Sequence, residues 1–279
     1  MTELAPSGTA SGKNRGTENF PVGSWLIRSD LRAHVHAFYN FARAADDISD
    51  HPLLDGADKI ARLDKFAATL TDPSSVVVPE AARLRESLRQ TGVSAQHSLD
   101  LLTAFKRDAT QRRYRDWADL IDYCMYSAAP VGRHVLALHE VGAEAWPAND
   151  ALCNALQIIN HIQDCADDYR ELDRVYIPQD MLAAHKGQIG DLSGDRATEG
   201  LRATLMAMLD QMEPMVTEAA KLPAFIPDFR LKAETSIICV LAERLVALLR
   251  ERDPLCENVK LTKREKIAAL LTGLRRAWL

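Results

Sequence analysis

Gln157-Ile158-Ile159-Asn160-His161-Ile162-Gln163-Asp164-Cys165-Ala166-Asp167-Asp168-Tyr169-Arg170 is the stretch that decides how this 279-residue chain folds. Leu152, Leu156, Ile158, Ile159 and Ile162 make the segment apolar on most of its circumference, the pattern of a buried helix. One face remains polar. Gln157, Asn160, Asp164 and Asp168 share it, with Asp167 at its margin. Residues four apart on a helix have Cβ atoms about 5–6 Å apart, so the two carboxylates of Asp164-x-x-x-Asp168 point to one place. Carboxylates and an amide on a buried helix need partners, because an isolated buried charge is strongly disfavoured. Arginines are one solution, and Arg170 and Arg174 are at hand, although both follow the stripe rather than face it. A bound cation is the other.

A second stripe of the same design lies upstream in Arg43-Ala44-Ala45-Asp46-Asp47-Ile48-Ser49-Asp50. Tyr39, Arg43, Asp46 and Asp50 follow i, i+4, i+7, i+11 beside an apolar face of Leu31, Val35, Phe38, Ala42 and Ala45, on a helix that Asp30 is placed to cap. A lone pair of this kind is ordinarily a solvated face, but Asp46 and Asp50 repel across one turn with no lysine nearby. Two such helices facing each other would form an acidic cage. Mg²⁺ with a diphosphate is its natural filling, since Mg²⁺ takes oxygen ligands from a few carboxylates plus substrate phosphate. Asp47 points elsewhere.

The rest of the chain bounds the possibilities. A hydrophobic fraction of 47% supports a sizeable core, and a net charge of −5 argues against nucleic acid as partner. The five cysteines form no CxxC pair, so neither a zinc site nor a disulfide frame is expected, and reduced thiols suit a cytoplasmic protein. Residues 1–16 are rich in Ser, Gly and Thr without an apolar run; they read as a disordered leader, with one domain over 17–279. No apolar run reaches the length of a membrane span. Helical period dominates, with helices predicted at about 57–71, 79–90, 94–109, 116–141, 147–173, 197–220, 228–252 and 262–276, separated by prolines and by Gly92. Strand alternation is almost absent. Residues 175–194 break the pattern and are expected to form a loop with a short helix, where a lid would be useful.

Within 116–141, Ser127, Ala128, Ala129 and Gly132 are small, and Pro130 should kink the helix. Small residues serve either close helix packing or room for a long apolar substrate; the sequence leaves both open.

Taken together, these motifs resemble the squalene and phytoene synthase family of head-to-head prenyl synthases, over nearly the whole chain after about residue 12. Arg43 to Asp50 is similar to the family's first Asp-rich motif and Asn160 to Asp168 to its second. Tyr123-Cys124 with Ala128 and Val131-Gly132 resembles its Tyr-Cys…Ala-x-x-Val-Gly helix. Gly12 to Val22 and Ser127 to Arg133 resemble the bacterial branch that forms hydroxysqualene in hopanoid pathways, with two departures. Ala129 stands where the branch more often has Asn, and Asn258 stands where relatives usually have Arg.

The resemblance implies an all-α, single-domain isoprenoid synthase bundle with a central cavity. It implies Mg²⁺-dependent ionisation of presqualene diphosphate, rearrangement of the cation and capture by water. Asp46, Asp50, Asn160, Asp164 and Asp168 are the implied metal ligands, and Asp46, Asp50, Asp164 and Asp168 the catalytic set. Asn19, Phe20, Tyr39, Arg43, Tyr123, Gln157, Arg133 and Lys263 are the implied substrate contacts, with Phe41 and Tyr126 as further aromatic candidates because ring faces stabilise cations. No GxGxxG is present, Gly190 and Gly194 forming none, and no NADPH is expected. A peripheral membrane contact would suit release of the product. Two other readings stand beside this one. The first is condensation of two farnesyl diphosphates to presqualene diphosphate; the second is a non-catalytic assembly role, in which the aspartates would be expected to be lost.

Overall fold

The helical segments are bounded by residues that cap a helix or cannot continue one. The computed structural model describes residues 27–75 and 77–278; the leader expected over 1–16, and Asn19 and Phe20, lie outside these. Within them the chain runs α1 (Arg32–Ser49), α2 (Gly56–Thr71), α3 (Pro79–Thr91), α4 (Gln96–Asp108), α5 (Trp117–Ser127), α6 (Ala129–Leu138), α7 (Trp146–Gln163), α8 (Cys165–Leu172), α9 (Gln179–Ala184), α10 (Glu199–Ala219), α11 (Phe229–Glu251) and α12 (Lys263–Trp278). Asp55, Asp116, Thr198 and Asp228 each accept a backbone N–H three residues on, satisfying a donor that the first helical turn leaves unpaired. Gly92 ends α3 in the left-handed region, φ 71°, which costs glycine little. The expected cap of α1 is corrected: Leu31 holds that position without a side-chain bond, while Asp30 is paired with Arg28 at 2.6 Å.

Among the described residues the only strand-like pairing is an isolated bridge between Arg113 and Val175. Phe41, Leu63, Phe66, Leu84 and Leu102 fill the core between α1, α2, α3 and α4. Ile158, Ile159 and Ile162 of α7 meet Leu205, Met208 and Leu209 of α10 and Val240 and Leu245 of α11 in a second core. Phe41 is therefore core rather than pocket lining: it is fully buried and set edge-on to Phe66 with centroids 5.7 Å apart.

Two predicted long helices are each divided. The 116–141 segment breaks at Ala128, whose φ −122° and ψ −51° leave the helical region. Pro130 explains this, since it has no N–H and its ring crowds the carbonyl four residues earlier. The small residues after the break serve packing. Ala129 is fully buried, and a Cβ on Gly132 would stand 2.1 Å from Asn149 Oδ1 and 2.6 Å from Cys153 Sγ, so α6 lies directly on α7. The 147–173 segment bends at Asp164, at the turn where Gln163 directs its amide onto the Val259 carbonyl. The bend preserves the polar stripe: Asp164 N–H still reaches the Asn160 carbonyl at 2.9 Å, and Asp168 N–H the Asp164 carbonyl at 2.8 Å.

The segment expected to act as a lid is, in its first part, core. Val175, Tyr176 and Ile177 are buried, and the N–H groups of Val175, Gln179 and Asp180 bond to the carbonyls of Arg112, Tyr114 and Arg115. Those bonds tie the strip to the bundle. The short helix expected there is α9.

The last pair of helices supplies a test of packing against propensity. α12 seats Gly273 so close to α11 that a Cβ there would lie 2.5 Å from Ile237 Cα, a backbone atom. Gly→Ala in a helix interior ordinarily gains about 0.5–1 kcal/mol. Overpacking costs about 1–3 kcal/mol, and here it should win. Gly273→Ala is expected to lower the urea midpoint of the protein; a raised midpoint would show that α12 shifts without cost.

Candidate active site

Both acidic stripes end at one arginine. α8 closes at Asp173, a non-glycine residue in the left-handed region, φ 51°, held there by Arg112 at 2.8 Å and Arg113 at 2.6 Å. Such a conformation is uncommon but tolerated by aspartate. It turns the chain so that Arg174 enters the core. The Arg174 guanidinium donates to Asp50 Oδ1 at 2.6 Å and to the Ser49 carbonyl at 3.0 Å, both at the end of α1. Its own N–H donates to the Asp168 carbonyl at 3.1 Å. One residue thus joins the end of the first stripe to the end of the second. The two arginines considered as stripe partners diverge: Arg174 crosses to the other stripe, whereas exposed Arg170 pairs with exposed Asp167 at 3.8 Å.

The first stripe carries its own cation. Arg43 bridges Asp46 at 2.9 Å and Asp47 at 2.7 Å. The repulsion between Asp46 and Asp50 is thereby offset by Arg43 on one and Arg174 on the other, and Asp47 is part of the arrangement rather than apart from it. Lys59 on α2 lies in the same field; burial first, and then the charge of Arg174, lowers its pKa.

Behind Arg174 is a buried group that the sequence reading passed over. Asp108, the last residue of α4, accepts from Tyr123 Oη at 2.8 Å and Tyr176 Oη at 3.2 Å. Burial pushes its carboxyl up to about 6, while the charge of Arg174 and the Tyr123 hydroxyl pull it down and Asp50 pushes it up. Burial alone would lower the pKa of Arg174, but the charges of Asp108, Tyr176 and Asp50 raise it well beyond its ordinary value, so it stays cationic. Tyr114, Tyr123 and Tyr176 pack about this group with centroids 5.2–5.5 Å apart, and His161 stacks on Tyr176 at 3.6 Å. Burial, then the charge of Asp108, raises the pKa of all three phenols, which stay protonated. A signal for Asp108 was present: it continues the apolar phase of Leu101, Ala104 and Phe105, where a solvated carboxylate has no place.

On the second stripe, Gln157 is half-buried and bonds to His161 at 3.2 Å, Asn160 and Asp168 are half-buried, and Asp164 is exposed. The Gln163–Val259 bond lays the 258–262 strip beside this end of α7, and Thr262 with Glu265 caps α12 reciprocally. Lys263 therefore starts its helix near the second stripe. Tyr39 sits half-buried on α1, one turn before Arg43, and Tyr126 is half-buried on α5.

Two expected contacts take other roles. Arg133 is not brought to the aspartates. It pairs bidentately with Asp150, at 2.8 Å for Nε, and stacks on Trp146 at 4.4 Å. Asp150 precedes Asp164 by fourteen residues on α7, about 21 Å along the axis. Tyr123 is buried, with Tyr114, Tyr176 and the Arg107 guanidinium about its ring; it holds Asp108 rather than offering a free face to a substrate.

Among the described residues, no group of three or more Asp, Glu, His or Cys side chains is arranged to hold one ion by itself. The stripes offer oxygen donors at i, i+4 spacing, Asp46 and Asp50 on one and Asn160, Asp164 and Asp168 on the other. That still fits Mg²⁺, which commonly takes one or two carboxylates and completes its shell with water and substrate phosphate. Two open clefts of about 610 and 460 Å³, the first beside His185 and Glu199 and the second between α1 and α3, contain no stripe residue. No helix of the described residues is long and apolar enough to cross a membrane.

Comparison with known proteins gives concordant results. The family model described as squalene/phytoene synthase matches residues 13–265. The hydroxysqualene synthase of Rhodopseudomonas palustris is 45% identical over 93% of this chain and 88% of its own length. That of Sinorhizobium fredii is 42% identical over the same shares. Among solved structures, the squalene synthase HpnC of Alicyclobacillus acidocaldarius superposes with a TM-score of 0.74 at 30% identity, covering 85% of this chain and 90% of the other.

The Arg174 junction makes a prediction about stability. The folded pKa of Asp108 exceeds the ordinary carboxylate value, so its protonation favours the folded state. That contribution is fully present below about pH 4 and is lost as pH rises through about 6. Without Arg174 the ionised form becomes costlier still. Arg174→Met should therefore cost on the order of 3 kcal/mol near pH 7.5 and clearly less near pH 5, measured by urea unfolding. An equal cost at both pH values would show that Asp108 does not depend on Arg174.

Proposed function

Since the chain belongs to the squalene/phytoene synthase family, we propose that it is an enzyme acting on a prenyl diphosphate, and that its reaction converts presqualene diphosphate to hydroxysqualene. The observation that carries the reading is the 42–45% identity, over 93% of this chain, to relatives named hydroxysqualene synthase. The junction of the two acidic stripes through Arg174 supplies the corresponding geometry.

In the reaction proposed, the C–O bond to the diphosphate breaks and the electron pair leaves with it. The cyclopropylcarbinyl cation that remains rearranges and is captured by water, which loses a proton to give the alcohol. Asp46 and Asp50 on one helix, and Asn160, Asp164 and Asp168 on the other, would hold Mg²⁺. Bound there, the ion would stabilise charge on the departing diphosphate. Arg43, which pairs with Asp46, and Lys263, the first residue of α12, are the proposed cationic contacts to phosphate. Asp108, protonated or bonded to two phenols, adds no free anion beside the cation, and Tyr123 and Tyr176 serve as positioning residues for it. Gln157, Tyr39 and Tyr126 are proposed to line the path of the prenyl chain; Asn19 and Phe20 are proposed as contacts on the resemblance alone.

The reading is tested by incubating the purified protein with presqualene diphosphate and Mg²⁺ in ¹⁸O-labelled water without NADPH. Labelled hydroxysqualene is expected, with activity abolished by EDTA and restored by Mg²⁺. Unlabelled alcohol would exclude solvent capture. Squalene appearing only when NADPH is added would move the chain to the reductive reaction, which the name of the 30% identical structure makes the second reading. Presqualene diphosphate formed from farnesyl diphosphate alone would move it to condensation.

Asp46→Asn and Asp164→Asn keep volume and remove charge. Each should lower turnover on the order of 100-fold or more, with helical circular dichroism unchanged. Retained turnover would show that these carboxylates do not hold the ion.

A further inference from the structure

The last helix presents a face that the bundle does not use. α12 docks on α11 through Ala269, Gly273 and Ala277, all buried. Leu274 packs partly against the core, while the other larger apolar residues point away. Ile267, Leu271 and Trp278 are 59, 61 and 78% exposed, Leu270 is 38% exposed, and Leu274 is half-buried between them. At 3.6 residues per turn these five fall within an arc of about 100°, beside the docking face rather than on it. Phe229 of α11, itself exposed, extends the surface: its ring meets Trp278 edge-on with centroids 5.1 Å apart. An exposed apolar surface of this kind, rimmed by charge, marks an interaction site.

The rim indicates the partner. Lys263, Arg264, Lys266, Arg275 and Arg276 give α12 five cationic side chains against a single Glu265, in a chain whose net charge is −5. Arg276 is engaged by Glu243 at 2.6 Å, and Glu265 by the cap of its own helix. Arg264 and Arg275 are exposed and fall on the flank of the arc next to Leu271. A second copy of this chain docking by the same face would bring these cations against each other, because a two-fold interface repeats the same patch on both sides. An anionic lipid surface complements them and accepts the apolar stripe as well.

We propose that α12 is a peripheral membrane-docking element, with Ile267, Leu271 and Trp278 entering the interfacial layer of an anionic bilayer while Arg264 and Arg275 meet lipid headgroups. The helix lies in the plane of the interface, its apolar arc down, with an aromatic residue at the depth such rings prefer. The inference stands on this surface and not on the reaction. Joined to that reaction, it would place the enzyme where an apolar product dissolves.

The test uses the full chain and vesicles of phosphatidylcholine with or without phosphatidylglycerol. The protein should sediment with the mixed vesicles, and at least about tenfold less with phosphatidylcholine alone or in high salt. Arg264→Gln with Arg275→Gln should weaken binding about tenfold or more, and Ile267→Gln with Leu271→Gln should abolish it. Because all four side chains are exposed, the urea midpoints should stay at the wild-type value. Brominated lipid should quench tryptophan fluorescence of the wild type and not of Trp278→Phe. Three results would each overturn the proposal: no binding to the mixed vesicles, binding unchanged in both double variants, or a wild-type dimer that the Ile267/Leu271 variant converts to monomer.

Discussion

A single buried guanidinium organises the acidic end of this bundle. Arg174 is held by the last turn of α1 through Asp50 and the Ser49 carbonyl, and its backbone is held by α8 through the Asp168 carbonyl. The arginine relates the end of one stripe to the end of the other. Its entry into the core depends on the left-handed turn at Asp173, and that turn depends on Arg112 and Arg113. The strip after it, Val175 to Asp180, is fixed by backbone bonds to Arg112, Tyr114 and Arg115. A chain of ordinary interactions thus runs from exposed Arg112 and half-buried Arg113 to the geometry of the site.

The carboxylates near this junction divide by environment. Asp46, Asp50, Asp164 and Asp168 sit where solvent or a ligand can reach them, while Asp108 is enclosed and bonded to two phenols. The enclosed one is pushed towards neutrality by burial and drawn back by the arginine in front of it. That division keeps uncompensated charge out of the interior while leaving acidic pairs at its edge.

Much of this was legible in the sequence. The helical period placed nearly every helix, and the i, i+4 spacing of Asn160, Asp164 and Asp168 survives even where the helix bends. What escaped was of two kinds. Periodicity assigns a residue to a face but not to a partner, so Arg174 read as an arginine trailing a stripe when it reaches a helix 125 residues away. Motif likeness assigns a role but not a location, so Arg133 read as a phosphate contact although Asp150 and Trp146 hold it at the opposite end of α7. Asp108 could have been found, because a charge on the apolar phase of α4 demands a buried partner. The small residues near Pro130 could not have been resolved either way, since only the third dimension shows Asn149 and Cys153 filling the space beside Gly132.

The Arg174–Asp50 contact spans 124 residues of chain. Contacts of such sequence separation form late, because the loop they close must first lose its freedom. Each stripe can take its helical form from local bonds alone, yet the relation between stripes exists only once both cores have condensed. A partly folded chain would carry all of the aspartates and no site, so affinity for a diphosphate should report native assembly rather than helix content.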